Sequence, residues 1–282
     1  MHIQRLVVAA CSLACASACT GDMFGNRGVT VIPPLAYLRY FNAVGDTLAL
    51  DFRPIDQIEP SPPFAAVPFR GTGLGSYQGY QAGSRKIRVV PSSPDIATAS
   101  SILVDTTLFL AAGSFYTVVH TGFARSGQAP KQGLRVILDE FPVGGQNIAI
   151  RMIHAGALLG AVDLYLTPTT TDPLPAAATF ANVTYGTVQT YTTRAPGAFV
   201  IRGYATGTRV TALFSNAAPL APTTTSGNSS TGGADAAGTV FTVVVYGAAT
   251  PGSSASVTAG NGVNTTPRVI YWIDRSPPGV AP

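Results

Sequence analysis

Short runs of apolar, β-branched and aromatic residues follow one another along most of the chain, and glycine and proline separate them. In the first half these runs predict strands over residues 36–41, 48–53, 64–69, 85–90, 101–110, 115–121 and 134–138. No stretch of the sequence combines a helical apolar stripe with helix caps. Short strands at this density predict an all-β fold built from antiparallel β-sandwiches.

The pattern of the first half recurs in the second half. Arg39, Ala43 and Asp51 recur as Arg151, Ala155 and Asp163; Tyr77, Gly83 and Arg88 recur as Tyr191, Gly197 and Arg202; Thr117 and Asp139 recur as Thr242 and Asp274. The spacing between equivalent positions grows only between these blocks, where loops are expected. A repeat of this length is a domain rather than a solenoid unit. We therefore expect two similar modules, over residues 34–145 and 146–282.

Positions that are apolar in both modules indicate the face that each strand turns to the core. Tyr116, Val118 and His120 align with Phe241, Val243 and Val245, and Leu38 and Tyr40 align with Ile150 and Met152. Because side chains alternate between the two faces of a strand, these positions are predicted to point inward. Residues 215–236, rich in Ser, Thr, Gly, Ala and Pro, are interpreted as a flexible insertion in the second module.

The first 18 residues have the order of a secretory signal, with one positive charge followed by a short apolar stretch and small residues before Cys19. The three cysteines, Cys11, Cys15 and Cys19, all lie in or at the end of this segment. The segment resembles a bacterial lipoprotein signal, which implies that Cys19 is acylated and begins a tether over residues 19–33. Thr20 rather than Asp after the cysteine implies the outer membrane where the cell has one. The alternative is ordinary secretion with a free Cys19.

Charge gives no indication of nucleic-acid binding. Charged residues make up 11% of the chain, and its formal net charge is +4. The one basic cluster, Arg85-Lys86-Ile87-Arg88, alternates along a predicted strand and is interpreted as a solvated strand face.

Four segments resemble the domain of unknown function 4397 family. They are residues 151–155 (Arg-x-x-His-Ala), 162–165 (Val-Asp-Leu-Tyr), 191–197 and 112–119 (Ala-Gly-Ser-Phe-Tyr-Thr-Val-Val). The resemblance covers both modules and implies extracytoplasmic, immunoglobulin-like, tandem envelope modules. The family's usual Ser-Pro-Asp-Ala-Pro loop is absent from both modules, so the resemblance carries no ligand role for that loop.

Candidate chemistry is sparse. His120 aligns with a valine, which favours a buried strand histidine over a catalytic base, and His154 is expected in a polar loop or at a strand end. The sequence lacks zinc and EF-hand spacings and the nucleophile motifs of serine hydrolases, so we predict no catalytic, metal or cofactor residues. Trp272 aligns with Ile137, which favours core packing over a sugar-binding platform.

The repeated Arg and Asp residues support one specific expectation. Arg39 and Asp51 have the same spacing as Arg151 and Asp163, and small residues lie midway between them. In an antiparallel hairpin such positions lie opposite one another, so each module is predicted to contain a cross-strand ion pair. The alternative is that the aspartates bind loop amides while the arginines separately face solvent.

Taken together, these features predict a non-catalytic, lipid-anchored envelope protein that acts as a structural, adhesive or binding module. Its expected partners are the membrane, through the anchor, and an envelope protein or glycan. The competing hypothesis is an exported enzyme or glycan-processing accessory, with a site between the modules or in the insertion at 215–236.

Overall fold

A computed structural model describes residues 33–58, 61–73, 77–143, 145–221, 232–256 and 264–275. The signal segment 1–18, the lipidation site Cys19 and the tether as far as residue 32 lie outside the described residues. The described residues from Leu35 onward form one compact unit. Within the described part of the chain, no helix is long and apolar enough to cross a membrane.

The protein is mostly β, with negligible helix. The first module contains β1 (Leu35–Asn42), β2 (Leu50–Pro54), β3 (Gln78–Gln81), β4 (Gly83–Pro91), α1 (Ile96–Ala99), β5 (Val104–Leu110), β6 (Phe115–Thr121) and β7 (Gly133–Leu138). The second contains β8 (Ile148–His154), β9 (Val162–Thr167), β10 (Phe180–Val183), β11 (Thr192–Arg194), β12 (Val200–Ala205), β13 (Phe214–Ala217), β14 (Val240–Tyr246), a 3-10 turn (Ser254–Ser256) and β15 (Arg268–Arg275).

The strands form four small sheets, two in each module. Sheet I has the order β3-β1-β6-β7 and sheet II the order β2-β4-β5. Sheet III (β11-β8-β14-β15) repeats sheet I, and sheet IV (β10-β9-β12-β13) repeats sheet II with one extra strand. The repeat in the sequence is therefore a repeat of topology.

Three features differ from the sequence-based expectation. The β1–β6 and β8–β14 pairs are parallel, so the sheets are not purely antiparallel. Residues 64–69 form turns and a single bridge to β2 instead of a strand, whereas β3 was not predicted. The predicted insertion at 215–236 begins inside β13 rather than in a loop, and its residues 222–231 lie outside the described residues.

Each module has its own apolar core between its two sheets. In the first module, Leu38 and Val118 of sheet I meet Phe52 of sheet II. In the second module, Met152 of sheet III meets Leu164 of sheet IV. The apolar positions predicted to point inward all belong to these two cores, which confirms the inward face of these strands.

The opposite faces of sheets I and III are also buried, because the two modules pack on each other there. A third apolar cluster joins Phe41 and Val119 of the first module to Ile153 and Val244 of the second. Every residue of β8 and of β14 is buried as a result. The modules therefore share a continuous interface, and the polar side chains within it form the site described next.

Candidate functional site

Each module's repeated arginine pairs with an aspartate of the other module. Arg39 Nη1 on β1 lies 2.7 Å from Asp274 Oδ1 on β15. Arg151 Nη2 on β8 lies 2.5 Å from Asp139 Oδ1, directly after β7. These four side chains are at most 4% exposed. Two reciprocal ion pairs thus cross the interface, and both are buried.

A threonine and a tyrosine complete the bonding of each aspartate. In the first module, Arg39 Nε donates to Thr117 Oγ1 at 2.8 Å. Asp139 Oδ2 accepts from Thr117 Oγ1 at 2.6 Å and from the hydroxyl of Tyr77 at 2.7 Å. The Arg39 guanidinium also lies 4.6 Å from the centroid of the Tyr77 ring, within the range of a cation–π contact.

The second module repeats this arrangement with its equivalent residues. Arg151 Nε donates to Thr242 Oγ1 at 2.8 Å. Asp274 Oδ2 accepts from Thr242 Oγ1 at 2.6 Å and from the Tyr191 hydroxyl at 2.8 Å. We call these eight side chains, Arg39, Tyr77, Thr117, Asp139, Arg151, Tyr191, Thr242 and Asp274, the interface network.

The predicted Arg39–Asp51 and Arg151–Asp163 pairs do not form. The prediction required β1 and β2 to be neighbours in one hairpin, but β1 lies in sheet I and β2 in sheet II. The second module has the same separation between β8 and β9. Residues placed symmetrically about the connecting turn therefore lie in different layers and cannot pair across strands.

The two aspartates instead bind loop amides, as the alternative proposed. Asp51 Oδ1 accepts from the backbone N–H of Ala66 at 2.7 Å, and Asp163 Oδ1 accepts from that of Asn182 at the same distance. Ala66 and Asn182 both have positive φ, of 50° and 48°. The other half of that alternative is wrong, because Arg39 and Arg151 are buried and do not face solvent.

Burial and nearby charge shift the pKa of Arg39 in opposite directions. Desolvation by itself lowers the pKa of Arg39, but the carboxylates of Asp274 and Asp139 outweigh it, so the pKa is raised above its usual value. Burial also raises the pKa of the Tyr77 hydroxyl. The network arginines therefore stay charged and the tyrosines stay neutral, which suits them to holding structure.

The two histidines among the described residues, His120 and His154, are buried and neutral. Gln132 donates Nε2–H to the carbonyl of Leu103, which leaves its Oε1 to accept from His120 Nε2 at 2.6 Å. His120 Nδ1 then accepts from the hydroxyl of Tyr40 at 2.9 Å. Burial lowers the pKa of His120 to about 4 and also lowers that of His154. The prediction of a buried strand histidine at position 120 is confirmed.

This burial makes stability depend on pH. The folded pKa of His120, about 4, lies below its ordinary value of 6.5, so the stabilisation is present above pH 6.5 and is lost as pH falls towards 4. We expect the free energy of unfolding to fall by about 2 to 3 kcal/mol over this window through His120. Urea titrations at several pH values will measure it. His120→Gln should give a shallower dependence, and an unchanged slope would contradict this account.

Trp272 lies at the module interface. Its ring stacks on Phe41 with centroids 5.2 Å apart, and it packs against the third apolar cluster. The predicted core packing is therefore found, and the cluster that Trp272 packs against joins the two modules. Among the described residues, no three side chains of the His, Cys, Asp and Glu types gather closely enough to hold a metal ion.

Comparison with known protein families gives a match over part of the chain. A search of curated proteins finds no match to the chain. Residues 36–165 match the family described as Domain of unknown function (DUF4397). The match begins in β1, covers the whole first module and ends in β9 of the second. Residues 36–165 thus form a DUF4397 domain.

Proposed function

We propose that the chain is a non-catalytic envelope protein, anchored by a lipid on Cys19, whose two joined modules act as one rigid structural and binding unit. The extracytoplasmic location and the anchor come from the signal-like segment that ends at Cys19. Two or more acyl chains hold a protein stably on a bilayer, whereas one does not.

The interface network is the observation that carries the proposal of a rigid unit. Its arginines, aspartates and tyrosines are the residue types that a catalytic site would use, yet each bonds another network member, and the arginines and aspartates are buried. Because these side chains bond one another across the interface, they fix the angle between the two modules. A fixed angle lets surfaces on both modules act together on one partner.

We further propose that each module is an immunoglobulin-like sandwich. Two facing sheets that share one apolar core support this, as does the resemblance of the four repeated segments. The parallel β1–β6 and β8–β14 pairs are a departure from a wholly antiparallel arrangement.

The competing hypothesis of an exported enzyme placed a site in the insertion at 215–236 or in the space between the modules. Much of that space is filled by the interface network and by the third apolar cluster, in which Phe41, Val119 and Ile153 are nearly inaccessible. This filling favours a binding module, since an enzyme needs a concave site with convergent polar groups.

Replacing the predicted acylation site will test the anchor. Full-length chain with Cys19→Ser should lose acyl labelling and move from the membrane fraction to the soluble fraction, because no other cysteine lies at the cleavage point. Metabolic labelling with a fatty-acid analogue and fractionation will measure both effects.

Cys15→Ser is the matched control, since it removes a cysteine from the same segment without touching the cleavage point. It should keep the label and the membrane location. A wild-type chain that carries no label, or a label that survives Cys19→Ser, would overturn the lipoprotein proposal.

A further inference from the structure

A groove of about 530 Å³ opens on the outer face of sheet II in the first module. Its lining combines an ion pair with small apolar and hydroxyl side chains: Asp51, Arg53, Val90, Pro91, Ser92, Ser93, Pro94 and Ala99. The second module has an equivalent surface on sheet IV, so the chain itself shows what fits there.

Strand register identifies the equivalent residues. In the first module Asp51 lies opposite Val90 on the neighbouring strand, and in the second Asp163 lies opposite Tyr204. Two residues further along the chain, on the same face, Arg53 lies opposite Arg88 in the first module. At the equivalent place in the second module, Tyr165 lies opposite Arg202. Arg53 and Val90 of the groove therefore occupy the places that Tyr165 and Tyr204 occupy in the second module.

In the second module, the rings of Tyr165 and Tyr204 fill the position that corresponds to the groove. Tyr165 and Tyr204 are 5% and 2% exposed, and their rings meet edge to face at 5.7 Å. The Arg209 guanidinium lies 5.0 Å from the Tyr165 centroid, and Arg202 Nη2 donates to the Tyr204 hydroxyl at 2.8 Å. The surface of sheet IV thus holds two aromatic rings beneath two guanidinium groups.

A longer connection covers the rings in the second module. Asp51 and Asp163 are 112 positions apart and Ala66 and Asn182 are 116 apart, so the second connection is four residues longer. Its carbonyl groups accept from both covering arginines, including Arg202 Nη1 to Asp172 O at 2.6 Å. The first module has a shorter connection and no tyrosine at either position.

We infer that the groove of the first module binds an aromatic side chain, tyrosine above all, presented by another protein. The bound ring takes the place of Tyr165 and Tyr204 of the second module. This inference deepens the proposed binding role and rests on it, but it does not depend on the lipid anchor.

The lining suits such a ring. The Arg53 side chain is 47% exposed, and its Nη2 lies 2.6 Å from Asp51 Oδ2, so a cation forms part of the groove lining. A guanidinium over an aromatic face is favourable, most of all where the ring is desolvated. Val90, Pro91 and Pro94 offer apolar surface for the ring edge, and Ser92 and Ser93 offer hydroxyls to a phenol. An aliphatic side chain would gain the apolar contact but not the cationic one.

A titration with N-acetyl-L-tyrosinamide will test the site on the chain from residue 20 onward, followed by amide NMR shifts. Saturable shifts are expected at Val90, Ser92, Ser93 and Ala99, with a dissociation constant on the order of millimolar for one ring. The cyclohexylalanine analogue, similar in size but not aromatic, should bind at least about threefold more weakly.

Val90→Tyr should close the groove by supplying the ring that Tyr204 supplies in the second module, and weaken binding at least about tenfold. Thr107→Tyr is the matched control, since it adds the same ring to exposed β5 outside the groove and should leave binding unchanged. Thermal melting will show that both variants fold. Equal binding by Val90→Tyr, equal binding of the aliphatic analogue, or shifts with N-acetylglucosamine but not with tyrosinamide would each overturn the inference.

Discussion

Asp274→Ala will lower the free energy of unfolding of the chain by about 3 to 5 kcal/mol, the cost of leaving a buried charge without its partner. Asp274 is the counter-ion of Arg39, which is 1% exposed, and it also accepts from Thr242 and Tyr191. The substitution therefore leaves one buried cation without its counter-ion and two hydroxyl groups without their acceptor. Urea denaturation followed by circular dichroism will measure the loss.

Two further variants separate burial from charge. Asp105→Ala breaks the pair with Arg88, whose side chains are 38% and 35% exposed, and should cost only about 0 to 1 kcal/mol. The double variant Arg39→Leu with Asp274→Leu should cost less than Asp274→Ala alone, because no charge then stays buried unpaired. Similar losses for Asp274→Ala and Asp105→Ala would contradict the role assigned to the network.

The isolated first module, residues 34–145, will associate with itself as a two-fold dimer. It contains both Arg39 and Asp139, the two halves of the reciprocal ion pair, and it exposes Phe41 and Val119 once the second module is gone. A self-complementary patch with a buried apolar centre is the usual basis of a two-fold interface. Sedimentation over a dilution series will measure the association.

Charge exchange provides the control for this dimer. A first module with Asp139→Arg presents two cations and should not self-associate, and one with Arg39→Asp presents two anions and should behave likewise. Mixed together, the two variants regain opposite charges at both positions and should form a heterodimer. A stable, folded monomer of the unaltered module at every concentration would refute the prediction.

Most strands could be predicted from the sequence. Local side-chain chemistry explains where the prediction succeeded and where it failed. The prediction for β6 was correct to the residue because only His120 interrupts its run of aromatic and β-branched residues. Gln78–Gln81 gave no signal as a strand because it is polar and short. Residues 64–69 gave a false one, since their apolar side chains pack into the core from turns in which Ala66 takes a positive φ.

The network residues were visible in the sequence as repeats, but their pairing was not. A repeat places the same arginine and aspartate in each module. The sequence pattern is then the same whether the two residues pair within one module or reciprocally between the modules. Only the layer order decides between them, and it depends on β1 and β2 joining different sheets. The sequence held one further sign, the nearly continuous apolar run of β14, which indicates burial on both faces.

The short joint after Asp139 gives the module interface a physical advantage. Residues 139–147 separate β7 from β8, so the two matching faces are held near each other whatever the protein concentration. Such a tether commonly corresponds to an effective concentration in the millimolar range. Assembly is then unimolecular, and it persists at dilutions where separate copies would come apart. The surfaces away from the interface are free to diverge, which is consistent with one module filling its outer position with tyrosines and the other leaving it open.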